Sequence, residues 1–195
     1  HEYSLKLQKI VKEKPGNTTL PSSKEELARL AALESGNYKY SVEDYFKTPE
    51  AFSFKLSPDG KYIGYMKRRA SGERDLYLKE VASEKETLLK KQEEDLIRGF
   101  AWASKDRIVY MQDKGGDENY HVYGVDISGE NNLDLTPFEG VRANIIASLK
   151  EDKDHVIVQM NKDNLQQEEP YRLNVNSGEI TKLYTVNEGD DPVAG

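Results

Sequence analysis

The feature of this sequence that most constrains its fold is a repeat whose copies begin 45 and 49 residues apart. Its landmarks are a methionine that ends an apolar run and a tyrosine 11 or 12 residues later: Met66 and Tyr77, Met111 and Tyr123, Met160 and Tyr171. Four residues after each tyrosine comes a β-branched residue: Val81, Ile127 and Val175. A period of this length is typical of four-stranded units that stack side by side. The repeat therefore predicts consecutive β-propeller blades.

Within each copy, short β-rich runs alternate with turn residues, which predicts four strands per blade. The predicted strands are 51–56, 62–66, 75–81 and 86–89, then 97–102, 107–111, 120–126 and 133–136, then 141–148, 155–160, 170–175 and 180–184. We predict a mainly β protein: a partial β-propeller of three four-stranded antiparallel blades, at about 51–92, 93–139 and 140–186 within residues 47–189. Propellers typically have about 4 to 8 blades. We therefore expect a fragment, with residues 190–195 leading into a further blade.

Residues 1–46 are predicted to form an N-terminal arm followed by an amphipathic helix. Ser23 and Glu26 have the spacing of a capping box. The apolar residues that follow fall on one helical face: Leu27, Leu30, Ala31 and Leu33. Gly36 is expected to end this helix. Such an apolar face needs a partner surface, either in the blades or in a domain outside this chain.

Composition excludes several classes of function. A net charge of −7 disfavours nucleic acid as the main partner, because binding to phosphates needs clustered Lys and Arg. No run approaches the roughly 20 apolar residues of a membrane span, and the absence of cysteine excludes disulfides and thiolate metal sites. The chain begins at His1 and Glu2 without an initiator methionine, so we expect a processed form and favour a periplasmic or secreted location over a cytoplasmic one.

Three segments resemble the propeller region of the prolyl oligopeptidase family of serine peptidases. Residues 54–65, FKLSPDGKYIGY, resemble a blade opening found in that family and in periplasmic propellers. Residues 116–126, GDENYHVYGVD, resemble a loop and strand of acylaminoacyl-peptidase and dipeptidyl-peptidase relatives, and residues 41–46, SVEDYF, resemble the approach to the first blade. Together the resemblance covers residues 41–189.

The resemblance implies a propeller that sits over a C-terminal α/β-hydrolase domain and gates and positions small peptides. The family's nucleophilic serine lies in a Gly-x-Ser-x-Gly turn, which this sequence lacks, so no catalytic residue is assigned and hydrolysis by this chain alone is not expected. No cofactor is implied. The alternative interpretation is a periplasmic β-propeller that binds other proteins and has no hydrolase domain.

Several residues are candidates for a functional site. Asp117, Glu118 and Asn119 lie in a loop rich in glycine and oxygen ligands, where we predict substrate or interdomain contact and no metal, since the calcium-loop spacing is missing. His121 and His155 are predicted to be structural histidines within strands. The pairs Glu93–Glu94 and Glu168–Glu169 are predicted to be solvated turn carboxylates. The repeated tyrosines are predicted to pack between blades.

Overall fold

The computed structural model of the protein describes residues 23–33, 39–40 and 42–185. The chain divides into two units, residues 1–48 and residues 49–195, which are described separately. The predicted arm before residue 23, the predicted helix end at Gly36 and the predicted lead-in at 190–195 lie outside the described residues.

The described part of the first unit contains helix α1 (Lys24–Leu33) and helix α2 (Val42–Phe46). Helix α1 begins after Ser23, whose hydroxyl accepts a hydrogen bond from the backbone N–H of Glu26 at 3.1 Å. The side chains predicted to form its apolar face lie outside the described ones. In the described residues, no helix is long and apolar enough to cross a membrane.

The second unit consists of antiparallel strands joined in the order of the chain. The described strands are β1 Ala51–Leu56, β2 Tyr62–Arg68, β3 Arg74–Glu80, β4 Glu86–Lys90, β5 Ile97–Trp102, β6 Arg107–Gln112, β7 His121–Asp126, β8 Leu133–Asp134, β9 Ala143–Ser148, β10 His155–Met160, β11 Glu169–Asn174 and β12 Ile180–Lys182. They form three four-stranded sheets, β1–β4, β5–β8 and β9–β12, called blades 1, 2 and 3 below. The predicted mainly β fold of three four-stranded antiparallel blades is confirmed.

Neighbouring blades pack face to face, and the core lies in the two gaps between them. The gap between blades 1 and 2 is filled by a cluster of buried side chains that includes Met66, Leu76, Phe100, Ile108 and Tyr110, and each of these five is at most 3% exposed. The gap between blades 2 and 3 is filled in the same way by side chains that include Val109, Val122, Val158, Tyr171 and Leu173. Because a blade presents alternate side chains to its two faces, strands β5, β6 and β7 of blade 2 each contribute to both gaps.

The strand register corrects one part of the predicted repeat. Met66 pairs with Leu76 and Met111 pairs with Val122, the residues just before Tyr77 and Tyr123. In blade 3 the residue before Tyr171 is Pro170, and it pairs with Gln159. Met160 pairs with Glu169 and lies on the same face as Tyr171. The tyrosines are therefore equivalent in all three blades, whereas the prediction that Met160 is equivalent to the other methionines was wrong.

Two buried side chains tie neighbouring blades together. The indole N–H of Trp102 in blade 2 donates a hydrogen bond to the carbonyl oxygen of Lys55 in blade 1 at 3.0 Å. Arg107 in blade 2 donates from Nε to the carbonyl oxygen of Val175 in blade 3 at 2.7 Å. Gly124 makes room for this arginine, since a Cβ there would lie 2.7 Å from the guanidinium group. Each bond satisfies a carbonyl that apolar packing would leave without a partner.

Candidate functional site

The β6–β7 loop is fastened to the linker between blades 1 and 2. The backbone N–H of Leu96 donates to the Asp113 carboxylate at 2.5 Å, and that of Asp113 donates back to the Leu96 carbonyl at 3.2 Å. The N–H of Gly115 donates to the Asp95 carboxylate at 2.7 Å. These bonds join two acidic segments of the chain, together called the acidic edge below: Glu93, Glu94 and Asp95 in the linker, and Asp113, Asp117 and Glu118 in the loop.

The reciprocal bonds of Asp113 recur in blade 3. Asn161 accepts a hydrogen bond from the N–H of Arg142 at 2.7 Å through its side chain, and its own N–H donates to the Arg142 carbonyl at 3.4 Å. Both Asp113 and Asn161 are buried. Sequence reasoning placed Asp113 only at the start of the glycine-rich loop and did not consider Asn161, although each follows the end of its blade's second strand. They fix the positions of Leu96 and Arg142, the residues that directly precede the first strands of blades 2 and 3.

The three predicted contact residues form a compact turn at the acidic edge. The carboxylate of Asp117 accepts hydrogen bonds from the N–H groups of Asn119 at 3.0 Å and Lys114 at 3.4 Å. Glu118 has a φ of 60°, a left-handed conformation that is uncommon for a residue with a side chain. The Asp117 carboxylate is therefore hydrogen-bonded to backbone N–H groups of its own turn. Glu118 is exposed, and in the described part of the chain it forms no ion pair.

Beside the acidic edge lies an open polar cleft of about 460 Å³. Its lining comprises Arg69, Glu73, Lys91, Gln92, Glu93, Glu94 and Asp95. Arg69 already forms an ion pair, since its Nε lies 3.1 Å from the Asp75 carboxylate. Glu93 and Glu94 are exposed, as predicted, and form no ion pair within residues 42–185. The cleft therefore offers unpaired negative charge to a ligand.

The histidines have carboxylate partners that the sequence did not reveal. Nδ1 of His121 lies 2.8 Å from the Asp134 carboxylate, and the His121 ring stacks on Tyr123 with centroids 6.4 Å apart. A serine protease also needs a hydroxyl on the other ring nitrogen. Among the described residues, the hydrogen bond of His121 is made to Asp134. Asp134 and Tyr123 thus hold the His121 ring at the start of β7, and its structural role stays a prediction.

His155 belongs to an ion-pair network on the outer face of blade 3. Its Nδ1 lies 2.9 Å from the Asp152 carboxylate, which also receives the guanidinium of Arg172. The side-chain amide of Asn174 lies 3.4 Å from the other ring nitrogen. The hydrogen bonds from His155 and then from Arg172 lower the pKa of Asp152 to about 2.

Replacement of His155 by phenylalanine is expected to raise the pKa of Asp152 further than replacement of Arg172 by glutamine, because the histidine bond is the larger cause. The depressed pKa means that Asp152 stabilises the fold above its ordinary pKa of 3.8, and that this contribution is lost as the pH falls towards 2. Carboxyl-carbon NMR titration measures both shifts. Asp163, whose pKa is lowered to about 2 by Lys182, is the internal control. An unchanged Asp152 pKa in the His155 variant would contradict the assignment.

The second glutamate pair differs from its prediction. Glu168 receives the guanidinium of Arg142 from Nε at 2.9 Å and from the terminal NH2 at 2.7 Å. Glu169 is buried in β11, with Lys182 Nζ at 2.6 Å from its carboxylate. It is therefore not a solvated turn residue, because its face of β11 packs on blade 2. Both carboxylates are neutralised and cannot bind a ligand amine without losing an ion pair.

The aromatic side chains of the repeat are buried to different degrees. Tyr171 is 2% exposed in the gap between blades 2 and 3, whereas Tyr123 is half-buried against blade 1. Burial and the nearby carboxylates of Asp134 and Asp95 raise the pKa of Tyr123 to about 12. Tyr77 occupies the same position on the face of blade 1 that points away from blade 2. The prediction that the tyrosines pack between blades is therefore confirmed for Tyr123 and Tyr171, whereas no blade among residues 42–185 packs on Tyr77.

Stacked four-stranded blades of this kind define a β-propeller-type unit, and sequence comparisons relate it to peptidases. The chain is 28% identical over 152 residues to dipeptidyl aminopeptidase BIII of Pseudoxanthomonas mexicana, covering 77% of this chain and 22% of that protein. It is 32% identical over 87 residues to dipeptidyl peptidase family member 6 of Caenorhabditis elegans, covering 44% of this chain and 12% of that protein. No protein-family profile matches the sequence. The predicted resemblance to peptidase propeller regions is confirmed.

Solved structures show the same fold at low sequence identity. Puromycin hydrolase superposes with a TM-score of 0.53 at 15% identity, over 69% of this chain and 22% of that chain. TolB from Acinetobacter baumannii superposes with a TM-score of 0.52 at 16% identity, over 69% of this chain and 32% of that chain. The chain thus spans about a quarter or less of the length of the two peptidases and of the puromycin hydrolase chain.

Proposed function

We propose that this chain is the noncatalytic N-terminal propeller portion of a prolyl-oligopeptidase-like serine peptidase. In this proposal it gates and positions small peptides for an α/β-hydrolase domain outside residues 1–195. The observation that carries the proposal is the similarity to dipeptidyl aminopeptidase BIII over 77% of the chain. The likeness to TolB concerns the fold alone, so it does not favour a pure binding module. A location outside the cytoplasm remains part of the proposal.

The acidic edge supports a role in holding the amino end of a peptide. A free α-amino group has a pKa near 8 and is largely cationic at neutral pH. Unpaired carboxylates at the edge attract such a cation, whereas Glu168 and Glu169 are already paired. We assign this contact to the loop of Asp117, Glu118 and Asn119, in which Asp117 maintains the turn and Glu118 presents its charge.

The chemistry of the proposed enzyme belongs to residues outside this chain. A serine hydrolase needs a nucleophile on a sharp turn, a histidine and an acid. This sequence has no Gly-x-Ser-x-Gly, and the hydrogen bonds described for His121 and His155 go to Asp134, Asp152 and Asn174. The contribution of the blades is therefore to select and orient the substrate.

The full-length protein is expected to hydrolyse chromogenic dipeptide substrates with a free amino end, and the 195-residue chain is expected to be inactive on them. In the full-length protein, Glu118→Ala is expected to raise KM for free-amine substrates about two- to five-fold, the worth of one exposed ion pair, with little change for N-acylated ones. Glu130→Ala, in the exposed turn after β7, is the control. A full-length protein inactive on both substrate types would overturn the proposed function.

A further inference from the structure

Blade 1 departs from the other two blades at the end of its second strand. In blades 2 and 3 this place is held by Asp113 and Asn161, whose side chains accept the N–H of the residue before the first strand. Arg68 holds the same place in blade 1, since its N–H donates to the carbonyl of Glu50 at 2.7 Å as that of Asp113 donates to the carbonyl of Leu96. A guanidinium group has donors only. Arg68 therefore cannot make the side-chain bond that its counterparts make.

Arg68 also lies directly opposite a second arginine. Strand pairing sets it against Arg74 in the last pair of residues that joins β2 to β3. Both lie on the face of blade 1 that carries Met66 and Leu76 towards blade 2, because these residues are two positions away on the same strands. Like charges directly opposite each other destabilise an antiparallel pair. The two arginines are therefore unfavourable neighbours unless an anion lies between them.

Neither of these two arginines forms an ion pair with a carboxylate in the part of the chain that the structure describes. The carboxylates nearest to them in sequence are paired with other cations. Glu73 and Asp75 lie 3.9 and 3.1 Å from the guanidinium group of Arg69, and Glu50 lies 3.7 Å from the ammonium group of Lys67. The opposed arginines therefore keep donors that are available to a ligand.

One of these donors is buried. The Nε atom of Arg68 is inaccessible to solvent and has no hydrogen-bond acceptor among the described residues. The guanidinium group lies over the ring of Phe52, 5.4 Å from the ring centroid, which fixes its plane. Because a buried N–H without a hydrogen bond is costly, the missing bond points to an acceptor that comes from a ligand.

We propose that Arg68 and Arg74, together called the arginine pair below, bind the carboxylate of a short peptide. Guanidinium groups present planar sets of N–H donors that match the two oxygens of a carboxylate. The proposal rests on the proposed function, in which short peptides are the substrates, and it adds a second charge that the blades recognise.

The position of the arginine pair agrees with a peptide ligand. The pair precedes the β2–β3 loop in blade 1, just as the last residue pair of β6 and β7 precedes the loop of the acidic edge in blade 2. Corresponding ends of the two blades thus carry free cations and free carboxylates. A short peptide with both ends free carries an ammonium group and a carboxylate, and this end of the blades offers a partner to each.

The test compares triglycine with triglycine amide, which lacks the carboxylate, by calorimetry on the full-length protein. Triglycine is expected to bind about ten-fold more tightly, the effect of charge-assisted hydrogen bonds, although the net charge of −7 of this chain favours the cationic amide. Arg68→Gln and Arg74→Gln are expected to abolish the preference, and Arg68→Lys to keep part of it. Arg98→Gln is the matched control, because Arg98 also lies over an aromatic ring, that of Tyr120 at 5.1 Å, and forms no ion pair within residues 42–185.

Thermal unfolding of the same proteins separates binding from a structural role. Without a ligand, Arg74→Gln is expected to raise the Tm by about 1 to 3 °C, because it removes the repulsion between the two arginines. Saturating triglycine is expected to raise the Tm of the unsubstituted protein more than that of either glutamine variant. Arginines that only support the fold would give the opposite result, a lower Tm on substitution.

Three results would overturn the proposal for the arginine pair. Equal affinity for triglycine and its amide would show that no carboxylate is recognised. A preference that survives in both glutamine variants would place the carboxylate elsewhere. Tighter binding of inorganic phosphate than of triglycine, lost in Arg68→Gln, would assign the pair to phosphate. An active peptidase without the preference would refute the arginine pair and leave the proposed function standing, whereas an arginine-dependent preference in an inactive protein would do the reverse.

Discussion

Replacing Arg107 with methionine is expected to lower the free energy of unfolding by about 3 kcal/mol, although methionine preserves much of the apolar stem. Arg107 is 7% exposed and donates to the carbonyl of Val175 and, at 2.6 Å, to the carboxylate of Asp126. The substitution leaves a mostly buried carboxylate without its counter-ion and a carbonyl without its donor. It also opens a space beside Gly124, which the guanidinium fills. Urea denaturation followed by far-ultraviolet circular dichroism measures the loss.

The matched control for this prediction is Arg172→Met on the outer face of blade 3. Arg172 also pairs with an aspartate, Asp152, but about half of its side chain is exposed to solvent. Exposed ion pairs contribute roughly 0 to 1 kcal/mol, so the control is expected to lose far less stability than the Arg107 variant. Similar losses in the two variants would show that the tie between blades 2 and 3 does not depend on Arg107.

Replacing Trp102 with alanine is expected to cost about 3 to 5 kcal/mol, the usual range for a buried aromatic side chain. Its ring packs in the gap between blades 1 and 2, where it lies beside Gly64 and Phe100. Its N–H also satisfies the Lys55 carbonyl of the neighbouring blade. Both the cavity and the lost bond weaken the same interface. Circular dichroism is the appropriate probe, since the variant lacks the single tryptophan of the chain.

Trp102→Phe separates the two contributions to this interface. Phenylalanine retains most of the buried area but cannot donate to Lys55, so an intermediate loss of about 1 to 2 kcal/mol is expected. If Trp102→Ala were no worse than Trp102→Phe, the cavity would contribute little and the prediction would fail.

The fold was accessible from the sequence because its signals are local. Three strands, β1, β5 and β10, have the predicted bounds, since each is a compact run of β-forming residues between turn residues. Strand β8 is shorter than predicted. Its last predicted residue, Thr136, turns away to accept a hydrogen bond from the N–H of Val122 through its hydroxyl. Such a bond depends on a strand some fourteen residues away, which a run of residue types does not reveal.

The error at Met160 has a different physical origin. The number of residues between a methionine and the following tyrosine reflects the length of the loop between their strands. The face of the sheet on which each side chain lies is set instead by the strand register. The β10–β11 connection places Tyr171 opposite Val158, so a methionine 11 residues earlier falls on the tyrosine's own face. The acidic edge could not be predicted from the sequence for a related reason. The contact of Asp113 with Leu96 and that of Asp95 with Gly115 join segments that only the packed blades bring together.

Because each described strand pairs only with strands next to it in the sequence, the blades can fold while the chain is being synthesised. Since every described sheet is complete within about 40 residues of chain, loop-closure costs are small and each blade can form as it leaves the ribosome. The face of blade 1 that carries Phe54, Tyr65 and Tyr77 would then form first and remain exposed to solvent longest. During that interval it is an exposed hydrophobic surface on a nascent chain and is prone to aggregation. Molecular chaperones are expected to keep it from other chains until synthesis is finished.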